Sequence, residues 1–283
     1  MADVLKGVPV AAGLTDELTA RCERLKALGI VPMLATLRVG ENPGDIAYET
    51  GAVKRCEKIG IAVRKIILPS DAPAGEITGH IREINADESV HGCLMFRPLT
   101  DKAAERAACE LLDPSKDVDC MTDASLAGVF TGSGAGFPPC TAQACVELLD
   151  YYGVSVDGKN LAVIGRSLVI GRPVSMLLMS RNATVTVCHS HTQSLPEITR
   201  RADILIAAIG RARFVDASYV SEGQVVVDVG INLDDEGKLC GDVDYESVAP
   251  IVRAITPVPG GVGAATTAVL AKHVIESAER FAL

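Results

Sequence analysis

The 283-residue sequence has no tryptophan, and aromatic residues make up only 4% of it. Its 48% apolar share therefore rests on Val, Ile, Leu and Ala. That composition suits parallel strands buried between helices. Basic runs are also missing: 27 Lys and Arg face 36 Asp and Glu, a formal net charge of −9. Arg200 and Arg201 form an isolated pair. Nucleic-acid binding draws on clustered cations that displace counterions from phosphates, so no nucleic-acid partner is expected. No apolar run approaches the ~20 residues that span a bilayer. The opening MADVLKGVPVAAGL has no basic start leading into a long apolar stretch. No membrane partner is expected, and the chain reads as soluble, unexported and cytoplasmic.

Cys-x-x-Cys is absent as well. The nine cysteines, Cys22, Cys56, Cys93, Cys109, Cys120, Cys140, Cys145, Cys188 and Cys240, are scattered. In a reducing cytosol they read as small buried hydrophobes. His189-x-His191 has no second ligand pair beside it, so no metal site is expected.

What is present is an alternation of two periods. Short β-branched runs predict strands over Met33–Val39, Ala62–Leu68, Gly92–Phe96, Asn160–Gly165, Ala183–Cys188, Ile204–Ile209, Val225–Val229 and Ala254–Thr256. Amphipathic stretches between them predict helices over Leu14–Leu28, Ala47–Ile59, Ala103–Leu112, Ala142–Tyr152 and Gly171–Arg181, with a last one over Gly263–Phe281. Alternating strand and helix indicates an α/β fold with parallel sheets. The length suits two domains, and the Gly- and Pro-rich TGSGAGFPP, 131–139, marks the break. The first domain is then 1–139, joined by the C-terminal helix 263–283, and the second is 140–262.

The strand Asn160–Ile164 runs into GRSLVIGRP, 165–173. Gly165 allows a tight turn, and Gly171 lets a helix begin close to the strand. A helix N-terminus behind a strand is a ready pyrophosphate site. The Gly-x-Gly-x-x-Gly spacing is missing, which leaves an ordinary strand-to-helix turn as the alternative. The next strand ends Cys188-His189-Ser190-His191, without the acid that binds an NAD ribose. Arg166 and Ser190 offer a cation and a hydroxyl instead, which suit a 2′-phosphate. NADP is favoured over NAD, with Ser190 as a simple cap for the next helix as the alternative.

Several longer motifs occur in order: VGENP (39–43) with Tyr48, KDVD (116–119), GRSLVIGRP, VVDVGIN (226–232), GDVDY (241–245) and PVPGGVG (257–263). With them the whole chain resembles the methylenetetrahydrofolate dehydrogenase/cyclohydrolase family. The resemblance implies an N-terminal αβα folate-binding domain and a C-terminal Rossmann-like dinucleotide-binding domain, with a cleft between them. It implies a homodimer formed through the dinucleotide domain. It also implies oxidation of 5,10-methylene-tetrahydrofolate to the methenyl form by hydride transfer to NAD(P), commonly followed by hydrolysis to 10-formyl-tetrahydrofolate. Carried over position by position, Tyr48 is the residue that stacks on the folate, and Asp119 bonds the pterin edge. Phe96, Arg97 and Leu99 lie on the strand facing the substrate, and Pro259, Gly260 and Gly261 border it. Gly165, Arg166, Ser167, Gly171, Ser190, Ala208, Gly210 and Ile231 are the dinucleotide contacts.

Two family residues are missing. The family carries Tyr-x-x-x-Lys, and here Ala52 stands four residues after Tyr48. The family has Gln-Leu-Pro-Leu on its third strand, and here Phe96-Arg97-Pro98-Leu99 stands there. Lys54 lies six residues beyond Tyr48, roughly 120° around a regular helix from it. Hydride transfer asks mainly for orientation, which Tyr48 and Asp119 supply. Hydrolysis asks for a proton carrier, a role that the Lys–Gln pair fits. The expectation is a dehydrogenase with weak or lost cyclohydrolase activity. The alternatives are a bifunctional enzyme in which Arg97 or Lys54 replaces the Lys, and a catalytically silent folate- or nucleotide-binding protein.

Overall fold

The computed structural model describes residues 2–281. The first half holds β1 (Asp3–Val4), α1 (Gly7–Ala27), β2 (Met33–Val39), α2 (Pro43–Ile59), β3 (Ala62–Leu68), α3 (Ala74–Ala86), β4 (Gly92–Met95), α4 (Lys102–Leu111) and α5 (Asp123–Thr131). The second holds α6 (Cys140–Tyr151), β5 (Asn160–Ile164), α7 (Gly171–Met179), β6 (Thr184–Cys188), α8 (Leu195–Arg200), β7 (Ile204–Ala207) and β8 (Val225–Asp228). After these come β9 (Asn232–Leu233), β10 (Leu239–Cys240), α9 (Tyr245–Val248), β11 (Ala254–Ile255) and α10 (Thr266–Phe281).

Two compact units result. One comprises Ala12–Cys140 with the C-terminal segment from Thr267; the other comprises Thr141–Thr266 with the N-terminal segment through Ala11. The sequence pattern groups residues 1–139 together. Strand pairing places the segment through Ala11 with the second half instead, because β1 runs parallel to β11 there. The last helix starts at Thr266, after a 3₁₀ turn over Val262–Ala264, later than the expected Gly263. Met1, Ala282 and Leu283 of the expected domain lie outside the described residues.

The first unit has a three-stranded parallel sheet in the order β3-β2-β4. Ile77, Ile81 and Ile84 of α3 and Ala104 and Ala108 of α4 pack on Leu37, Cys93 and Met95 of that sheet. The second unit has a six-stranded sheet in the order β1-β11-β8-β7-β5-β6, with every pairing parallel. Leu161–Ile164, β7 and β8 are buried throughout, as continuous apolar runs covered on both faces should be. β9 and β10 add a small antiparallel hairpin. Among the described residues no helix is long and apolar enough to cross a membrane. All nine cysteines are free, and all but Cys109 are buried.

Candidate functional site

The VGENP segment turns β2 into α2. Asn42 caps the helix by accepting the N–H groups of Gly44 and Asp45, and Pro43 fills the first helical position, where the missing N–H costs nothing. This start fixes the helix phase. Glu49, Ala52, Val53, Cys56 and Ile59 face inward, while Tyr48 is half-buried and Lys54 is exposed. Tyr48 meets Phe96 edge to face, with ring centroids 6.3 Å apart. Phe96 is itself tied to β2 through its N–H to the Leu37 carbonyl at 2.9 Å.

Both positions that the resemblance marks as replaced are closed: Ala52 is 0% exposed and Phe96 7%. Leu99, expected to face substrate, belongs to the hydrophobic core of its unit. Arg97 keeps part of its surface open. Its charge acts electrostatically on Cys109 and on Asp119.

KDVD divides into three structural residues and one open one. Lys116 Nζ donates to the carbonyls of Ile84, Asn85 and Asp87 at 2.7, 3.0 and 2.7 Å, capping the end of α3. Asp117 accepts from the N–H groups of Met121 and Thr122 and from the Ser125 hydroxyl, holding the start of α5. The Val118 carbonyl receives His273 Nδ1 at 2.9 Å. Asp119 accepts the Cys140 N–H at 3.0 Å and retains some exposed surface. Burial pushes its pKa up, against the pull of the Cys140 bond and the Arg97 charge.

In the other unit a hollow of about 320 Å³ opens beyond the carboxyl ends of β5, β6 and β7, among Gly165, Arg166, Ser167, His189, Ser190, Ala208 and Arg211. Gly165 sits at φ +125°, and a Cβ there would lie 2.1 Å from the Ala208 carbonyl oxygen. A Cβ on Gly171 would lie 2.2 Å from the Gly165 oxygen. Both positions therefore require glycine. Ser167 Oγ accepts the N–H of Ile170 at 3.1 Å and of Gly171 at 3.4 Å, closing the turn into α7. The first-turn N–H groups and dipole of α7 favour an anion there. These residues fit a dinucleotide. Ser194, not Ser190, occupies the N-cap position of α8.

Five of the eight expected dinucleotide residues thus line one hollow, and Gly171 stands behind it. Gly210 lies in the loop after β7, outside that lining. Ile231 is elsewhere: 69% exposed, it lines a second hollow of about 290 Å³ with Pro259, Gly260 and Gly261. Arg211 also lines the first hollow, and the sequence motifs do not pick it out. Its guanidinium lies 4.4 Å from the centre of the Phe214 ring. The available signal is its place directly after Gly210, at the end of a buried strand.

His189 and His191 lie 6.0 Å apart. Among the described residues no group of three or more His, Cys, Asp or Glu could hold a metal ion.

Residues 5–119 match the family model described as tetrahydrofolate dehydrogenase/cyclohydrolase, catalytic domain, and residues 139–282 match its NAD(P)-binding domain. The bifunctional protein FolD of Carboxydothermus hydrogenoformans is 50% identical over 281 residues, covering 99% of this chain and 98% of that protein. The bifunctional FolD methylenetetrahydrofolate dehydrogenase/cyclohydrolase of Campylobacter jejuni superposes with a TM-score of 0.94 at 37% identity, covering 99% of both chains. The Trypanosoma brucei FolD, solved with NADP and an inhibitor, gives a TM-score of 0.92 at 31% identity, covering 99% of this chain and 98% of that one.

Proposed function

Because the chain belongs to the tetrahydrofolate dehydrogenase/cyclohydrolase family, we propose that it oxidises 5,10-methylene-tetrahydrofolate to the methenyl form with NADP. The observation that carries this reading is the grouping of Gly165, Arg166, Ser167, Ser190 and Ala208 around one hollow at the carboxyl ends of parallel strands, where α/β sheets bind nucleotides. NADP, when bound, supplies the hydride acceptor. Arg166 and Ser190 hold its 2′-phosphate, and the turn into α7 takes the pyrophosphate. Tyr48 stacks on the pterin, and Asp119 accepts from its N–H edge. Ile231 contacts the dinucleotide and the Pro259–Gly261 loop borders the folate, and both line the second hollow of the dinucleotide unit. The protein works in the cytoplasm as a homodimer through the dinucleotide unit, whose edge strand β6 exposes Thr184, Thr186 and Val187.

For the second activity, the comparisons favour the bifunctional reading over a lost cyclohydrolase, and one structural observation points the other way. The relatives' descriptions as bifunctional favour hydrolysis of the methenyl product as well. One specific observation favours a dehydrogenase with weak hydrolysis: both positions of the family's Lys–Gln pair carry apolar, covered side chains. For a bifunctional enzyme Arg97 is the better placed substitute, since Lys54 is exposed on the outer side of α2.

The test is a dehydrogenase assay on purified protein with each dinucleotide. With methylene-tetrahydrofolate, NADP should give reduced-nicotinamide absorbance at a higher kcat/KM than NAD. No turnover with either dinucleotide would leave only the silent-binder reading.

A further inference from the structure

Apart from Ile231, VVDVGIN and GDVDY have no role in the site as described above, yet they interlock. Asp228 and Asp242 are 3% and 0% exposed. Asp228 accepts the N–H groups of Gly230, Asp242 and Val243 at 2.9, 3.0 and 3.0 Å. Asp242 in turn accepts the N–H groups of Ile209, Gly210 and Arg211 at 2.7, 3.1 and 2.8 Å, and Asn232 Nδ2 at 2.9 Å. The glycines are required by this contact. A Cβ on Gly241 would lie 1.8 Å from Asp228 Oδ2, and one on Gly230 would lie 2.4 Å from Asp242 Oδ1.

Three successive backbone N–H groups converging on one point form an anion nest. The nest at 209–211 follows β7 at the carboxyl edge of the sheet, where such a cradle ordinarily serves a ligand phosphate. Here the chain's own carboxylate fills it. The phosphates are left to the Gly165 turn, and the loop after β7 becomes a fixed wall. That loop supplies Ala208, Ile209 and Arg211 to the first hollow. Through Asn232 the same carboxylate holds the residue beside Ile231, which lines the second hollow.

We propose that Asp242 is a positioning residue for the dinucleotide: one buried carboxylate sets the loop 208–211 and the segment 231–232 in register with each other. The proposal rests on the dinucleotide reading given above. It separates two effects. Emptying the nest loosens the wall of the first hollow and weakens cofactor binding. Cutting only the Asn232 link frees Ile231 and disturbs the hydride step while the nest stays filled.

The experiment measures NADPH binding by nicotinamide fluorescence without folate, steady-state kinetics, and thermal unfolding. Asp242→Asn keeps one carbonyl acceptor. It should raise the NADPH Kd about tenfold, as the loss of one or two buried hydrogen bonds implies, with the folate KM within about twofold of native. Asp242→Ala should raise it further, so that Asn ranks as a partial rescue. Asn232→Ala should lower kcat about threefold or more with NADPH Kd within about twofold. If Asp242→Ala does not fold, the other two variants carry the test. NADPH binding equal to native in Asp242→Asn, with only a lower Tm, would overturn the proposal. Native protein that fails to bind NADPH would remove the dinucleotide reading itself, and this proposal with it.

Discussion

Arg38 Nε and Glu49 Oε2 lie 3.1 Å apart, with side chains only 8% and 6% exposed, one residue along α2 from Tyr48. The Thr36 hydroxyl donates to the other Glu49 oxygen at 2.7 Å, and Arg38 also reaches the Gly40 carbonyl. Removing one member of a buried pair strands the other, at a typical cost of about 3–5 kcal/mol. Glu49→Gln and Arg38→Met should each lose stability on that scale in urea unfolding. Arg38→Met with Glu49→Met should recover much of it, because two apolar groups strand nothing. Single variants within about 1 kcal/mol of native would mean that water reaches the pair.

Cofactor choice is read from Arg166 and Ser190, both at the hollow beyond β5 and β6. Arg166→Ala should raise the NADP KM about tenfold, the scale of one charge-assisted bond to phosphate. The NAD KM should stay within about twofold. Equal losses for both dinucleotides would show that Arg166 reads a feature they share.

Asp119 should behave as an acceptor that protonation removes. Burial lifts its pKa above the ordinary value, so folate binding weakens as pH falls and the carboxylate is protonated. Asp119→Asn should raise the folate KM sharply at neutral pH and abolish that pH dependence, with NADPH binding intact. An unchanged folate KM would reduce Asp119 to a cap on the Cys140 N–H.

Much of this is legible in the sequence, for physical reasons. The eight expected strands are all present, most trimmed by a residue or two at their ends, because β-branched runs between glycines are unambiguous at buried positions. Helix α3 has no counterpart among the expected helices although Ile77, Ile81 and Ile84 keep helical spacing; Gly75 and Gly79 dilute its propensity. Helix α1 starts seven residues earlier than expected because Pro9, in its first turn, reads as loop although the fold tolerates it there. Strand β1 is two exposed residues, and only its pairing with β11 reveals it. Among candidate site residues, spacing and motif single out Tyr48, Asp119 and the Gly165 turn. They do not reveal Asp242, whose donors lie 31–33 residues away, nor the Arg38–Glu49 pair, since a buried charge leaves no periodic trace.

Asp228 gives the stability curve a specific slope. Burial raises its pKa from 3.8 to about 6, outweighing the backbone N–H bonds that lower it. The native state therefore binds this proton more tightly than the unfolded chain. The resulting stability is fully present below pH 3.8 and is lost as pH rises through about 6. A rise from 3.8 to about 6 corresponds to about 3 kcal/mol. Asp228→Asn should lower Tm overall, since its amide meets the Val243 N–H with a donor. It should also remove this contribution to the slope between about pH 4 and 6, the window set by the two pKa values. An identical slope in native and variant protein would show that other groups carry it.

Ala52 and Phe96 decide how the second activity is read. A proton must move to and from a folate nitrogen during hydrolysis, and general acid–base help is worth about 10²–10⁴-fold. Neither an alanine nor a phenylalanine carries a proton. Arg97 is the cation left near Asp119, and a guanidinium is by its chemistry a poor proton carrier. Phe96 also presents its ring to Tyr48, an apolar surface where the sequence resemblance places an amide. On the dehydrogenase-only reading, methenyl-tetrahydrofolate decays only modestly above the spontaneous rate with native protein, well below its dehydrogenase turnover. Ala52→Lys with Phe96→Gln should raise that decay, while either change alone should do less because the Lys needs its partner. The bifunctional reading drawn from the relatives predicts the opposite: hydrolysis by native protein comparable to its dehydrogenase turnover. That result, together with loss of hydrolysis in Arg97→Leu, would assign the proton relay to the guanidinium site and sink the inference from Ala52 and Phe96.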